Sequence, residues 1–149
     1  IAYITQTTLS VFDTQEIVDA LVKKFPQILA PKKSDICYAT SNRQISVQEI
    51  AKNVDAFFVI GAFNSSNSIR LVETAKRFGC DYSELIENID NFDYQKLNQY
   101  ESIGLTASAS APEKQLNLFI DRVKDYYKPE VVDYKEDENI VFKVPNFLN

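Results

Sequence analysis

The stretch Ala56-Phe57-Phe58-Val59-Ile60-Gly61-Ala62 is apolar without interruption, and it constrains the fold more than any other part of the chain. A strand with one wet face alternates apolar and polar side chains, whereas a strand covered on both faces does not. The run is far too short to cross a membrane, so it reads as a strand buried in a parallel sheet. A parallel sheet needs crossover helices over both of its faces. The fold class that follows is α/β, a three-layer sandwich lobe with a mainly parallel sheet.

The rest of the chain repeats one theme: apolar strand, loop of small polar residues, amphipathic helix. Ala2 to Thr8 predicts a strand, and Asp13-Thr14 a cap for a helix carrying Ile17, Ala20, Leu21 and Phe25 up to Pro26. Gln27 to Asp35, with Pro31 and Lys32-Lys33, reads as a crossover between two lobes. Asp35 to Thr40 leads into a helix with Val47, Ile50, Ala51 and Val54 on one face, and Ile69 to Phe78 predicts a helix that Gly79 ends. Tyr82 to Glu87 is a weaker strand candidate, Asp93 to Tyr100 a short helix, and Ser102 to Thr106 a further strand. Pro112 then suits a first helical position, with Leu116, Phe119, Ile120 and Val123 behind it. The tail from Lys128 reads as an extended strand around Ile140-Val141-Phe142 and Val144.

Composition narrows the chemistry. At 149 residues and 45% hydrophobic side chains, the chain can bury the core of one domain, or of one domain and part of another. A net charge of −5 with scattered Lys and Arg gives no basic stripe for nucleic acid and no polybasic membrane patch. With no histidine, neither a Ser/His or Cys/His nucleophile pair nor a His-based metal site can be built from these residues. Ile1-Ala2-Tyr3-Ile4 begins as though already inside a strand, so sequence is expected to precede it.

Parallel sheets bind ligands beyond the carboxyl ends of their strands. Three such ends carry hydroxyl-rich loops: Thr7-Thr8, Asn64-Ser65-Ser66-Asn67-Ser68, and Ser108 with Ser110. Ser, Thr and Asn are ordinary caps, but they also suit an anion at a helix start, where unpaired N–H groups and the helix dipole converge. No P-loop or GxGxxG accompanies them, which disfavours a nucleotide and leaves a compact phosphate or diphosphate.

The two cysteines, Cys37 and Cys80, form no CxxC motif. Composition alone makes Cys37 a buried structural residue. Its place at a helix start beside Thr40, Ser41 and Asn42 argues instead for a thiolate able to coordinate metal. Cys80, after Gly79 and beside Asp81, reads as structural or simply exposed.

Four segments together resemble the LytB-type reductases, the hydroxymethylbutenyl diphosphate reductases of the non-mevalonate isoprenoid pathway. They are Thr5 to Ser10, Asp35 to Gln44, Asn64 to Ser68 and Thr106 to Pro112, in the family's order, with the likeness continuing into Glu138 to Phe142. The resemblance implies a three-lobed, trefoil-like protein around a [4Fe–4S] cluster. Residues 1–33 would then end the middle lobe, 34–127 form the third lobe and 128–149 a tail. It further implies Cys37 as one of three cluster ligands, and Thr7, Ser65, Ser66, Asn67 and Ser110 as substrate-binding residues. The implied reaction is reductive removal of an allylic hydroxyl, giving isopentenyl and dimethylallyl diphosphates, with ferredoxin or flavodoxin as electron donor. A bacterial cytoplasm or a plastid-type organelle is the implied location.

The chain departs from the pattern in two respects. The other two cysteines, the substrate-facing histidines and the acidic proton donor are absent, so no catalytic residue is expected here and the isolated chain is expected to be inactive. Ser108 stands where the family usually has Gly, a substitution that crowds the loop if the backbone needs positive φ or close ligand approach. The alternative is a stand-alone phosphate-binding or structural module without redox activity.

Overall fold

The computed structural model describes residues 1–134, and the strand expected around Ile140 lies outside them. Four α-helices, α1 (Val11–Lys24), α2 (Tyr38–Ala51), α3 (Ser66–Arg77) and α4 (Glu113–Tyr126), alternate with three strands. The strands are β1 (Ala56–Ile60), β2 (Tyr82–Ile86) and β3 (Ile103–Ala107), and a 3₁₀ turn spans Tyr94–Gln99. The sheet is parallel with order β2-β1-β3, so the apolar run supplies its centre.

All five residues of β1 are fully buried, as an uninterrupted apolar strand requires. The pleat divides them. Phe57 and Val59 face Val47 and Ala51 of α2 and Leu71 and Ala75 of α3. Ala56, Phe58 and Ile60 face Tyr94, Leu97, and Phe119 and Val123 of α4. Three layers result, as the sequence predicts. The face toward α4 is aromatic: Phe92 meets Phe58 edge-on at 5.4 Å between centroids and Phe119 at 5.2 Å. On the other face the Phe57 ring lies against Gly104 of β3, where a Cβ would stand 2.4 Å from its Cδ2.

At the amino edge Asp55 pins β3 to β1. Its carboxylate accepts from the Glu101 N–H at 3.0 Å, the Ser102 N–H at 2.8 Å and the Ser102 hydroxyl at 3.0 Å. The Ser102 amide and hydroxyl hold this carboxyl below its ordinary range, Glu101 adding to the effect against a small opposing burial. Gly79 ends α3 with φ of +110°, which fits its expected role.

Three local expectations need correction. Residues 2–8 do not form a strand: the only pairing there is a parallel bridge from Ala2 to Leu29. Their polar groups go elsewhere, with the Thr5 N–H on the Asp35 carboxylate at 2.9 Å and the Thr7 carbonyl accepting the Cys37 N–H at 3.0 Å. Helix α1 starts earlier than Asp13-Thr14 implies, because Ser10 is its cap and accepts the Asp13 N–H at 3.1 Å. Pro112 is the cap of α4 rather than its first helical residue, with ψ of 134°. The short helix expected at Asp93 to Tyr100 is present, as a 3₁₀ helix over Tyr94–Gln99 capped by Asp93.

Helix α1 buries none of its residues, and Ile17 of its expected inner face is 62% exposed. It is held by a ring contact between Phe12 and Phe78, 4.7 Å between centroids, and by polar contacts. The buried Gln44 amide accepts from the Val11 N–H at 2.9 Å and donates to the Leu9 carbonyl at 3.0 Å, while Arg77 pairs with Asp13 and Glu16.

Candidate functional site at the carboxyl edge of the sheet

Beyond Ile60 the chain turns through Gly61 to Asn64 and enters α3 with Ser65 as its cap. The Ser65 hydroxyl accepts the Ser68 N–H at 3.3 Å, and the first intrahelical bond runs from the Ile69 N–H to the Ser65 carbonyl at 3.1 Å. The N–H groups of Ser66 and Asn67 precede that bond, at the electropositive end of the helix. Capping is therefore one real role of Ser65, as the plainer reading of the sequence expects. It does not account for Asn67. That side chain is buried, yet neither end of its amide has a hydrogen-bond partner, and the buried Ser68 hydroxyl has none either. Buried polar groups left unpaired cost roughly 1–3 kcal/mol each. Three such atoms gathered at one helix start call for an explanation that the cap alone does not give.

The second loop leaves β3. Its first residue, Ser108, is buried, and its N–H donates to the Ile60 carbonyl at 2.8 Å, fastening this loop to the end of β1. Ser110 is exposed, and its hydroxyl lies 3.5 Å from that of Ser108. The two loops converge at Gly61. A Cβ built there would stand 2.3 Å from the Ser68 hydroxyl and 2.8 Å from the Ser108 hydroxyl, so only the absence of a side chain lets them approach so closely. Ser108 itself has no positive φ, so no backbone strain attaches to a Cβ at that position.

Thr7 and Cys37 form a neighbouring pair, joined by the backbone bond already described. Cys37 caps α2 through its carbonyl, which accepts from the Thr40 N–H at 2.8 Å and the Ser41 N–H at 3.0 Å. Its thiol makes no capping bond and is exposed. Arg43 ties this end of α2 to the sheet edge: its Nε donates to the Ala107 carbonyl at 3.1 Å and its Nη1 to the Ala39 carbonyl at 3.0 Å. What meets at Gly61 is Ser68 and Ser108, neighbours of the expected Ser65, Asn67 and Ser110, while Thr7 and Cys37 form a separate pair next to α2, whose Arg43 reaches the end of β3. Of the linking residues, Gly61 and Gln44 carry no charge, and Arg43 already commits its Nε and Nη1 to the Ala107 and Ala39 carbonyls. A glycine directly after a buried strand is the one signal that could have marked the first of them.

Cys80 is a different thiol. It is buried behind β1 and β2, donates to the Tyr82 carbonyl at 3.3 Å, and its pKa is pushed up by burial, so it stays protonated and structural. Among the described residues no three His, Cys, Asp or Glu side chains converge to hold a metal, and no helix is long and apolar enough to cross a membrane. A cavity of about 320 Å³ between α1 and α3 is lined by Ser10, Asp13, Arg70, Glu73, Thr74 and Arg77, away from the hydroxyl loops.

A family model described as LytB protein matches residues 1–124. The chain is 49% identical over 150 residues to the 4-hydroxy-3-methylbut-2-enyl diphosphate reductase of Ruegeria sp. (strain TM1040), and 46% identical over 149 residues to that of Proteus mirabilis (strain HI4320). Each alignment covers 99% of this chain and 47% of the relative. Among solved structures, the E-1-hydroxy-2-methyl-but-2-enyl-4-diphosphate reductase from Plasmodium falciparum superposes with a TM-score of 0.83 at 34% identity, over 99% of this chain and 47% of that one. The chain spans about half the length of the curated relatives it matches.

Proposed function

Because this chain belongs to the LytB protein family, we propose that it is the diphosphate-holding part of a 4-hydroxy-3-methylbut-2-enyl diphosphate reductase and supplies one thiolate to its cluster. In this reading residues 34–127 form one lobe, residues 1–33 complete a preceding one and 128–149 are a tail. The core built on β1 and the lone bridge at Ala2 are in keeping with that division. The observation that carries the proposal is the buried, unpartnered Asn67 amide and Ser68 hydroxyl at the start of α3, facing the Ser108–Ser110 loop across Gly61.

The substrate's diphosphate is held by Ser65, Ser66, Asn67 and Ser110, with Thr7 from the adjoining segment. The N–H groups of Ser66 and Asn67 and the α3 dipole favour its negative charge, and the hydroxyl and amide groups donate to its oxygens. Holding the charged end at several points fixes the allylic end, and this orientation supplies much of the rate. The reaction takes up two electrons and two protons and releases the allylic hydroxyl as water. The residues present fit one corner of a [4Fe–4S] cluster, since the exposed Cys37 thiol is free of capping duty and is the sort of ligand such clusters take. When bound, the cluster supplies the electrons, drawn from ferredoxin or flavodoxin in a bacterial cytoplasm or plastid-type organelle. With Cys80 committed to the core, the 149-residue chain offers a single ligand and by itself is inactive.

Replacing Cys37 by Ser in the full-length protein tests the assignment. Loss of bound iron and sulfide and of reductase activity is expected. An intact cluster with full turnover would overturn it. The purified 149-residue chain should bind no stoichiometric iron and sulfide.

A further inference from the structure

Ser108 lies behind the anion site and has no role in the reading above. Its hydroxyl is buried, adjoins Gly61 on one side and lies 3.5 Å from the exposed Ser110 hydroxyl on the other. The buried Ser68 hydroxyl, without a partner, flanks the same glycine. Ser68 and Ser108 thus place two buried hydroxyls at Gly61, and of the Ser108–Ser110 pair only Ser110 reaches solvent.

We propose that Ser108 is a positioning residue for the diphosphate site, acting through Ser110. This rests on the assignment of Ser110 to the substrate. A hydroxyl has one proton to give and two lone pairs to receive with. When Ser110 turns its proton to a phosphate oxygen, Ser108 donates to the lone pair that Ser110 keeps. That bond fixes the direction of the Ser110 proton and polarises it, so Ser110 becomes the better donor. Ser68 flanks Gly61 beside Ser108 without bonding to it, and the approach of these two hydroxyls depends on the bare α-carbon of Gly61. The backbone of Ser108 is fastened to Ile60, so the Ser108–Ser110 pair starts from a fixed point at the sheet edge.

The test is a double-mutant cycle in the full-length reductase, read by steady-state kinetics with 4-hydroxy-3-methylbut-2-enyl diphosphate and by inhibition with inorganic diphosphate. Ser108→Ala should raise KM and the inhibition constant in parallel, about three- to tenfold, with kcat unchanged, the loss expected for one hydrogen bond. In a Ser110→Ala background, Ser108→Ala should do nothing further, since its only route to the ligand is gone. Ser108→Gly, which restores the residue usual in LytB-type sequences, should behave as Ser108→Ala does and serves where the alanine variant fails to fold. Equal effects of Ser108→Ala with and without Ser110, or unchanged constants in the single variant, would overturn the proposal while leaving the substrate site standing. If Ser110→Ala itself changes neither constant, the site assignment falls and this inference with it.

Discussion

Gly61→Ala is the sharpest perturbation the structure offers. The new Cβ would stand 2.3 Å from the Ser68 hydroxyl, 2.8 Å from that of Ser108 and 3.0 Å from the Ser68 Cβ. Ordinary contact for such atoms begins near 3.4 Å, so the Ser68 hydroxyl must retreat by about 1 Å and Ser108 by about half of that. A hydroxyl alone could rotate away at small cost, but the Ser68 Cβ belongs to the first turn of α3 and moves only with the helix. Overpacking of this kind costs about 1–3 kcal/mol. The upper half of that range is expected here, because Ser108 is also fastened to Ile60. Chemical denaturation of the full-length protein should show the loss as a lower midpoint with an unchanged slope. Isothermal titration with inorganic diphosphate should show weaker binding, since the two loops are pushed apart. Ser68→Ala added to Gly61→Ala removes the nearest atom and should recover part of both losses. Stability within 0.5 kcal/mol of wild type for Gly61→Ala, on the order of an ordinary surface change, would refute the reasoning, as would a double variant no better than the single one.

Other perturbations follow from the same geometry. Asn67→Ala should leave thermal stability unchanged or raise it, because a buried amide without partners is removed, while affinity for inorganic diphosphate falls about tenfold or more in calorimetry. Gly79→Ala meets nothing within 4 Å, so its whole cost is the φ of +110°; about 1 kcal/mol of lost stability is expected in denaturation, with diphosphate affinity intact. Burial works to raise the Glu84 pKa, but the bonds from Lys96 and Tyr82 outweigh it and hold the carboxyl below its ordinary 4.5. Its contribution is therefore fully present above that value and lost as pH falls through the lowered one. Glu84→Gln should show a shallower loss of the urea midpoint between pH 5 and pH 3 than wild type does, and parallel curves would count against the linkage.

The parts of the fold legible in the sequence are those set by local rules. β1 announces itself because burial on both faces leaves no polar position, and the end of α3 because only glycine takes the φ at residue 79 without strain. The Ser65 loop is legible for the same reason, as a cap and a helix start use the same residues. Residues 2–8 mislead because a β-like sequence becomes a strand only when a ladder is available, and here the only pairing is at Ala2. Ile17 misleads likewise, since its periodicity marks an inner face that no described residue covers. The meeting of Ser68 and Ser108 at Gly61 joins positions some forty residues apart, so no local pattern encodes it. Gln44 is hidden by its polarity: a fully buried amide looks like surface until the Leu9 to Val11 backbone it serves is in view.

The order of strands across the sheet has a consequence for how the protein comes into being. β1 lies between two strands that are both made after it, and it pairs with each in parallel, so neither pairing can begin as a hairpin. Each must wait for a long loop to close, which favours slow assembly. The Ser65 loop emerges with β1, but its counterpart exists only once β3 has docked and the Ser108 N–H has found the Ile60 carbonyl. The meeting of the two loops is thus a property of the finished sheet, and any anion site between them is absent from partly folded species. A diphosphate present during refolding would leave the early steps untouched and tighten only the last one, slowing the release of β3 rather than hastening its arrival.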